Sequence, residues 1–192
     1  MNHSIDKPGE LILTCGLSGS GKSTLARHAA SELSDNISYL KTVTTRPQRE
    51  DEDTLEYTFV DLSKYSSLKL QSTLWDESVV YGNFYGVDAQ SCINGMENGQ
   101  NFIVCTIPSN DVVDEMSAIY SRDRIKTVYV PTLQSVSTER MRRRDTKVDI
   151  ARVAIDSALM QEKFNADYTL SLSDSLGVNK ERFVNIIRRI IS

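Results

Sequence analysis

One segment near the start of the chain constrains the fold more than any other feature. Residues 16–23 read GLSGSGKS, which matches the P-loop pattern of a glycine, four variable residues and then Gly-Lys-Ser or Gly-Lys-Thr. The apolar residues 11–15 before it predict a buried strand, and apolar residues at helical spacing follow it as far as Leu33. A glycine-rich loop between a strand and a helix predicts a phosphate-binding site, because a chance Gly/Ser turn would lack both flanking elements.

The residue types in this loop suit the binding of an anion. Gly16, Gly19 and Gly21 allow positive φ, so that the backbone can curl around a phosphate with its N–H groups pointing inward. The N-terminus of the following helix adds a partial positive charge. Lys22 can reach the outer phosphates, and the Ser23 hydroxyl can coordinate Mg²⁺. The residues that we expect to bind the phosphates and the metal ion are Gly16, Ser18, Gly19, Ser20, Gly21, Lys22, Ser23 and Thr24.

Composition and charge argue against several classes of partner. The chain has 192 residues, which suits one domain with one inserted subdomain. Its formal net charge of -4, with no overall basic face, argues against nucleic acid or an anionic membrane as a partner. The 3 cysteines are widely spaced and form no C-x-x-C pair, which indicates reduced intracellular thiols and no zinc site. Residues 1–9 lack the apolar region of a signal peptide, and no apolar run is long enough to span a membrane, so we expect a cytoplasmic protein.

Strand-like and helix-like patterns alternate along the rest of the chain. This alternation around a P-loop favours an α/β fold with a parallel sheet, and a further helix is expected over residues 149–164. Short strands with polar interruptions break the alternation between residues 41 and 88. We therefore predict that a small substrate-binding subdomain is inserted there.

Local patterns within this insertion predict individual elements. Residues 39–50 begin as a strand rich in Thr and Val, which Pro47 ends. A Gly-Asn pair between aromatic residues predicts a hairpin turn over residues 81–87. Arg46 and Arg49 flank Pro47 on a stiffened loop, where two guanidinium groups can bind one phosphate. A solvated loop that carries surface charges would give the same pattern.

Taken together, these segments resemble the guanylate kinase family of nucleoside monophosphate kinases. The resemblance runs from about Leu11 to the C-terminus, and its most specific parts are residues 16–24, 42–50, 57–60 and 81–86. It implies that ATP donates its γ-phosphoryl group to a nucleoside monophosphate, with GMP or dGMP as the expected acceptor and ATP and Mg²⁺ as the cofactors. The expected partner is this small-molecule substrate, and the expected assembly is a monomer or a homodimer.

The resemblance also implies a division of the chain. The fold would be a three-layer sandwich of the P-loop NTPase type with an inserted subdomain and a lid rich in arginine. The implied divisions are a flexible tail (1–9) and a single guanylate-kinase-like domain (10–192), made of a core (10–40 and 89–192), an acceptor-binding subdomain (about 41–88) and a lid (about 140–152).

The resemblance assigns phosphate-binding roles to arginines and tyrosines. The acceptor phosphate is the nucleophile, so it must be held in line while its charge is offset. The residues implied for this task are Arg46, Arg49, Tyr57 and Tyr85, with Glu52 aligned to a further family residue near the acceptor site. The lid would neutralise the transferring phosphoryl group, and the residues implied in catalysis are Lys22, Arg46, Arg140, Arg144 and Arg152. A solvated helix face is the alternative for residues 140–144.

Recognition of the acceptor base would depend on a carboxylate. Asp76 aligns with a family glutamate, and Glu77 is the neighbouring alternative. Successive side chains of a strand face opposite ways, so only one of the two can point into the site. A carboxylate can accept hydrogen bonds from N1–H and the 2-amino group of guanine. Thr42 aligns with a family serine that touches the base and can donate to O6 of guanine.

The chain departs from the family pattern at several positions. Val87 stands where a hydroxyl residue normally contacts the base, and Cys105 and Ile107 replace aspartates near the end of a core strand. Ser173-Asp174 stands where Asn-Asp is expected near the adenine. These departures leave open a different acceptor, namely a modified nucleotide or a sugar phosphate such as ribose 1,5-bisphosphate. A non-catalytic binding module of the same fold is a further alternative, against which the complete P-loop argues.

Overall fold

The computed structural model describes residues 8–48, 52, 54–71, 74–80, 82–144 and 164–192. The strands in chain order are β1 (Leu11–Cys15), β2 (Ile37–Tyr39), β3 (Thr42–Thr44), β4 (Tyr57–Phe59), β5 (Leu74–Val80), β6 (Asn83–Asp88), β7 (Asn101–Thr106), β8 (Ile125–Tyr129) and β9 (Tyr168–Thr169). The α-helices described are α1 (Lys22–Glu32), α2 (Leu62–Leu70), α3 (Ala89–Glu97), α4 (Asn110–Ile119), α5 (Gln134–Arg144) and α6 (Leu176–Ile191).

Within the described residues, five parallel strands form the central sheet, in the order β2-β7-β1-β8-β9. The strand β1 lies in the middle and has all of its residues buried, as expected for a parallel strand that is covered on both faces. Its C-terminal end leads into the P-loop. The P-loop therefore lies at the carboxyl edge of the sheet, where ligands bind in open α/β folds.

Helices cover both faces of this sheet. On one face, α1 and α6 pack against Ile12 and Ile103 through residues such as Leu25 and Phe183. On the other face, α3 and α4 contribute Met96 and Met116 to a second buried cluster. Helix, sheet and helix make three layers, which confirms the predicted α/β fold with a parallel sheet. No helix of the described residues is both long enough and apolar enough to cross a bilayer.

A second sheet of four strands is formed by residues within the 41–88 segment of the described chain. Its order is β4-β3-β6-β5, in which β3 pairs parallel to β4 and antiparallel to β6, and β6 pairs antiparallel to β5. Trp75 and Val87 on this sheet are buried in the same cluster as α3 and α4. The second sheet therefore packs beside the carboxyl half of the core, next to the P-loop. The division into subdomains remains a prediction.

The structure corrects two local predictions. The single strand expected at the start of residues 39–50 is two strands in different sheets: β2 ends at Tyr39 in the central sheet and β3 begins at Thr42 in the second. The hairpin turn expected over residues 81–87 is shorter, because β6 already begins at Asn83. Among the described residues of this segment, Gly82 alone has a turn conformation, with a φ of 71°. The helix predicted over residues 149–164 falls almost entirely outside the described residues.

Candidate active site

The P-loop connects β1 to α1, and its glycines serve two different purposes. Gly19 and Gly21 have φ values of 78° and 90°, in the left-handed region that favours glycine. Gly16 does not have a positive φ, contrary to the prediction. Gly16 is required because there is no room for a side chain: a Cβ there would lie 2.8 Å from Ser20 Oγ and 2.9 Å from the carbonyl oxygen of Val130. The loop is therefore folded tightly against the end of β8.

The side chains of the P-loop lie as an anion site requires. Lys22 Nζ donates to the carbonyl oxygen of Leu17 at 3.2 Å, so the ammonium group lies across the loop. Leu17 is 1 % exposed and anchors the loop in the interior. Gly21 is the N-cap of α1, which leaves the amides of the first turn free of intrahelical partners. The loop and the helix end together offer backbone N–H groups and one cation to a phosphate chain.

A cavity of about 760 Å³ opens from the P-loop, within the size range of nucleotide and drug-sized ligand sites. The P-loop residues from Gly19 to Leu25 form one side of it. Helix α5 and the segment before it form a second side, and residues 172–176 with Asn179 form a third. Leu133, Leu172 and Leu176 are all at least 42 % exposed and line this cavity. Exposed apolar side chains next to a phosphate loop suit the flat face of a nucleotide base.

Helix α5 is attached to the P-loop. The Ser137 hydroxyl is 1 % exposed and donates to the carbonyl oxygen of Ser18. One turn later, Arg140 Nη1 lies 3.2 Å and 3.3 Å from the carbonyl oxygens of Gly19 and Ser20. The prediction that Arg140 acts at the phosphoryl group is consistent with this location at the mouth of the loop. The side chain of Arg144, and the whole of Arg152, lie outside the described part of the chain.

A second cationic site lies on the second sheet. The Arg46 guanidinium carbon is 5.2 Å from the ring centroid of Tyr57 and 5.4 Å from that of Phe59. The rings of Tyr57 and Tyr85 make an edge-on contact at 6.5 Å between centroids. Three of the residues predicted to hold the acceptor phosphate, Arg46, Tyr57 and Tyr85, therefore lie together. Arg49 lies outside the described residues.

Glu52 completes this cluster. Arg46 Nη2 donates to Glu52 Oε1 at 2.7 Å and to Oε2 at 2.9 Å. Partial burial alone would lower the pKa of Arg46, but the hydrogen bonds and charge of Glu52 outweigh it and the pKa is raised. Arg46 is thus held as a cation in a fixed plane. The structure brings Glu52 to Arg46, as its predicted location near the acceptor site requires.

The two candidate carboxylates of β5 point in different directions. Asp76 Oδ2 accepts from the Thr106 hydroxyl at 2.6 Å, at the end of the core strand β7. Glu77 instead pairs with Lys69 Nζ at 2.8 Å on the outer side of the second sheet. Asp76, and not Glu77, therefore faces the core. Burial raises the pKa of Asp76 to about 6, with the nearby Glu115 adding to the rise and Thr106 and Lys22 opposing it.

Thr42 and Val87 lie opposite one another on β3 and β6. Val87 is 1 % exposed and packs with Trp75 in the core, so its side chain is not part of an open binding surface. Thr42 is partly exposed. Its predicted contact with the base stays a prediction.

The Cys105 thiol lies beside Lys22 and Ser23, which are predicted to bind the phosphates and the metal ion. It is half-buried near the hydroxyls of Tyr39 and Ser23 and near the Lys22 ammonium, and burial raises its pKa. Among the residues that the structure describes, no group of three or more His, Cys, Asp or Glu side chains is placed to hold a metal ion. The Ser23 hydroxyl is a hard oxygen donor and fits Mg²⁺, which keeps most of its ligands as water and substrate phosphate.

Several residues of the site carry no signal in the sequence. Ser137, Thr106, Glu115 and Asn179 belong to no motif, and each contacts a site residue through the fold. Thr106 and Ser137 are buried hydroxyl residues, whereas Asn179 is partly buried and Glu115 is exposed, so no single pattern identifies them.

Comparison with known proteins agrees with this geometry. The sequence model of the guanylate kinase family matches residues 9–180. The guanylate kinase of Agrobacterium fabrum is 25% identical over 193 residues, covering 96% of this chain and 84% of that protein. The guanylate kinase of Carboxydothermus hydrogenoformans is 27% identical over 194 residues, covering 96% of this chain and 88% of that protein.

Solved structures show the same fold. The guanylate kinase from Anaplasma phagocytophilum superposes with a TM-score of 0.67 at 20% identity, covering 97% of this chain and 88% of that one. A gluconokinase from Sinorhizobium meliloti superposes with a TM-score of 0.54 at 14% identity, covering 96% of this chain and 94% of that one. The match over residues 9–180 shows that the chain belongs to the guanylate kinase family.

Proposed function

We propose that this protein is an ATP-dependent nucleoside monophosphate kinase that converts GMP and dGMP into GDP and dGDP. The observation that carries the proposal is that one fold contains two clusters suited to phosphate: the P-loop with Lys22, and the cluster of Arg46, Tyr57 and Tyr85 on the second sheet. A hydrolase needs only the first of these sites. Two sites are required when one phosphate attacks another.

The chain's own residues can support the transfer without covalent catalysis. An oxygen of the acceptor phosphate attacks the γ-phosphorus of ATP in line, the bond to the bridging oxygen breaks, and ADP leaves. Arg46 and the two tyrosines orient the attacking phosphate and offset its charge. Lys22 and Arg140 contact the carbonyl oxygens of Leu17 and Gly19 in the P-loop. From there they would stabilise the charge on the oxygens of the transferring group. Mg²⁺ bound through Ser23 and the donor phosphates would supply additional charge neutralisation.

The choice of guanine is supported by the placement of Asp76. Its ionised carboxylate has lone pairs that can accept hydrogen bonds from N1–H and the 2-amino group of guanine. Adenine does not have this pair of donors. Oδ2 already accepts from Thr106, so Oδ1 and the second lone pair of Oδ2 remain for the base. Thr42 on β3, which β6 separates from β5 in the same sheet, would donate to O6.

A survey of acceptors tests the proposal. ADP formation is measured by a coupled assay with ATP and Mg²⁺ and, in turn, each ribo- and deoxyribonucleoside monophosphate. We expect GMP and dGMP to give the highest kcat/KM. No turnover with either would remove the proposal. Lys22→Ala, measured with GMP, controls for a contaminating kinase.

A different acceptor is the second candidate, favoured by a specific observation. Val87 is buried and offers no hydroxyl to a base, and the thiol of Cys105 lies where the resemblance implies a carboxylate. A site with fewer polar partners would suit a modified nucleotide or a sugar phosphate. Ribose 1,5-bisphosphate and modified guanosine monophosphates therefore belong in the same survey, and a kcat/KM above that of GMP would favour this candidate.

We also propose that the protein is catalytic, that it is cytoplasmic, and that it is a monomer or a homodimer. The intact P-loop argues against a binding module without catalysis, and measurable affinity for ATP with Mg²⁺ would count further against it. A cytoplasmic location is supported by the three free cysteines. A monomer or a homodimer is proposed, which sedimentation can decide.

A further inference from the structure

We propose that Thr106 and Glu115 are positioning residues that hold the Asp76 carboxylate in the orientation that selects the acceptor. The inference rests on the proposed function, because it gives Asp76 a role in reading the acceptor base. Neither residue belongs to a motif. Both act on Asp76 and not on the substrate, so the prediction concerns acceptor recognition and not phosphoryl transfer itself.

Asp76 has a backbone conformation that needs support. Its φ is 49°, the only positive φ of a non-glycine residue in the described chain. The pairing of β5 with β6 is interrupted there, since Trp75 pairs with Val87 and Ser78 with Tyr85, which leaves two residues of β5 opposite Gly86. Such a bulge redirects a side chain out of the regular alternation. A left-handed Asp persists only where its surroundings hold it in place.

Thr106 provides the first support, at the side chain. Its hydroxyl donates to Asp76 Oδ2 at 2.6 Å, and Thr106 is itself 5 % exposed at the end of β7. A hydrogen bond to an ionised acceptor is stronger than a neutral one, and the branched Thr side chain has few rotamers to lose. This contact crosses from the central sheet to the second sheet. The carboxylate is therefore fixed relative to the P-loop by the core strand that lies next to β1.

Glu115 provides the second support, at the backbone. The N–H of Asp76 donates to Glu115 Oε2 at 3.3 Å, from a residue in α4. This contact satisfies the amide that the bulge removes from the ladder. Glu115 also brings a second negative charge close to Asp76. Thr106 thus stabilises the ionised carboxylate of Asp76, whereas Glu115 destabilises it.

The charged groups around Asp76 give the two residues opposite effects on its ionisation. Burial is the largest influence and raises the pKa, to about 6 with all groups present. The Thr106 hydroxyl from β7 and the Lys22 ammonium from α1 lower it, whereas Glu115 from α4 raises it. Glu77, the adjacent carboxylate, is turned to Lys69. Removing the hydroxyl should therefore raise the pKa of Asp76, and removing the Glu115 charge should lower it.

The test compares four variants by steady-state kinetics and NMR. Thr106→Val removes the hydroxyl with little change of shape, and Thr106→Ser restores it. Glu115→Gln keeps an oxygen for the Asp76 amide but removes the charge. Thr14→Val is the matched control, because Thr14 is 0 % exposed on the neighbouring strand β1 and its hydroxyl has no hydrogen-bond partner in the described structure.

We expect Thr106→Val to raise KM for GMP by about tenfold, since a small misplacement of a positioned group is costly, with KM for ATP unchanged. In the pH profile of kcat/KM for GMP, the acid limb of Thr106→Val should move to higher pH, and the acid limb of Glu115→Gln should move to lower pH. The acceptor phosphate also titrates near pH 6, but equally in all variants, so the differences between variants carry the test. Thr106→Ser and Thr14→Val should behave like the wild type.

Two results would overturn the inference: a KM for GMP within about twofold of wild type in Thr106→Val, or acid limbs that move in the same direction in Thr106→Val and Glu115→Gln. If Thr106→Val does not fold, Thr106→Ala, which also removes the hydroxyl, gives the same comparison against Glu115→Gln. If the wild type uses another acceptor, the proposed function fails separately. Carbon-13 NMR titration of the Asp76 carboxyl without any acceptor then decides the inference, since only a positioning role predicts opposite pKa shifts.

Discussion

Glu52 holds the guanidinium group of Arg46 through one nitrogen, with Nη2 2.7 Å from Oε1 and 2.9 Å from Oε2. The other terminal nitrogen, Nη1, donates to the carbonyl oxygen of Pro47 at 2.9 Å, and the ring of Tyr57 lies against the guanidinium plane. Three independent contacts therefore fix Arg46 before any acceptor binds. A cation that is already oriented loses less conformational entropy when it meets a phosphate.

Glu52→Gln tests whether this carboxylate orients Arg46 or competes with the acceptor phosphate for it. Both side chains are mostly buried, and replacing the charged acceptor by a neutral one weakens the hydrogen bond by about 1 kcal/mol. We therefore expect KM for GMP to rise roughly fivefold in Glu52→Gln while KM for ATP is unchanged. Glu139→Gln is the matched control, because Glu139 makes an exposed pair with Arg143. A fall in KM for GMP would mean that Glu52 competes with the phosphate.

The donor half of the site could be predicted because its signal is local. The P-loop residues are consecutive in the chain, and their strand and helix are also recognisable by composition. The contacts that orient Asp76 are of the opposite kind. Thr106 and Glu115 lie 30 and 39 positions away in the chain, and neither contact leaves a local pattern. Only the packing of β5 against β7 and α4 brings them together.

The difference between local and long-range signals also explains the errors in the predicted fold. The sequence between Tyr39 and Thr42 has no glycine or proline, so nothing in its composition reports that the chain leaves the central sheet for the second one. The bulge at Asp76 was also unpredictable, because a left-handed conformation of a non-glycine residue is imposed by its neighbours and is not favoured by the residue itself. Asp76 and Glu77 do point in different directions, but β5 is irregular between Trp75 and Ser78, so regular alternation is not the cause, and it could not show which of them faces the core.

Lys22→Ala tests the donor site. Lys22 lies across the P-loop at Leu17, where its charge can offset the donor phosphates. Removing one such group from a preorganised site costs about 10²–10³ in rate, so we expect kcat to fall by that factor. Lys64→Ala, on the exposed face of α2, should leave kcat unchanged. A kcat of Lys22→Ala within tenfold of wild type would contradict the proposed role.

Asp76→Asn tests the cost of burying the carboxylate. The folded pKa of about 6 lies above the value of about 3.9 for an unfolded Asp. The folded state therefore binds a proton more tightly, and the free energy of unfolding falls as the pH rises from about 4 to about 6. Asparagine cannot ionise, so we expect the stability of Asp76→Asn relative to wild type to increase over this range and to stay constant above it.

Urea unfolding at several pH values measures this difference, and the exposed Asp35→Asn is the control for loss of a carboxyl group. Asp76→Asn should also lose selectivity for guanine, because the asparagine amide presents a donor as well as an acceptor to the base. We expect the preference for GMP over IMP, which lacks the 2-amino group, to fall by about tenfold or more. A stability difference that does not change with pH would show that the carboxylate is not buried as described.

Asn179 offers a test on the donor-base side of the site. Its Oδ1 accepts from the Ser173 amide at 2.7 Å and its Nδ2 donates to the Ser173 carbonyl oxygen at 2.8 Å. Both bonds hold the loop that lines the donor cavity beside Leu172. We expect Asn179→Ala to raise KM for ATP by about 30-fold, since two hydrogen bonds of about 1 kcal/mol each are lost, while KM for GMP is unchanged.

The control for this variant is Asn185→Ala, because Asn185 lies on the exposed face of the same helix, away from the donor cavity. Asn179→Asp separates the two bonds: it keeps the acceptor for the Ser173 amide but loses the donor to the carbonyl oxygen. An intermediate KM for ATP is therefore expected in Asn179→Asp. An equal rise of KM for ATP and for GMP in Asn179→Ala would instead indicate a general loss of structure, because Tyr57 of the acceptor cluster lies on β4 of the second sheet, whereas Asn179 lies in α6 beside the donor cavity.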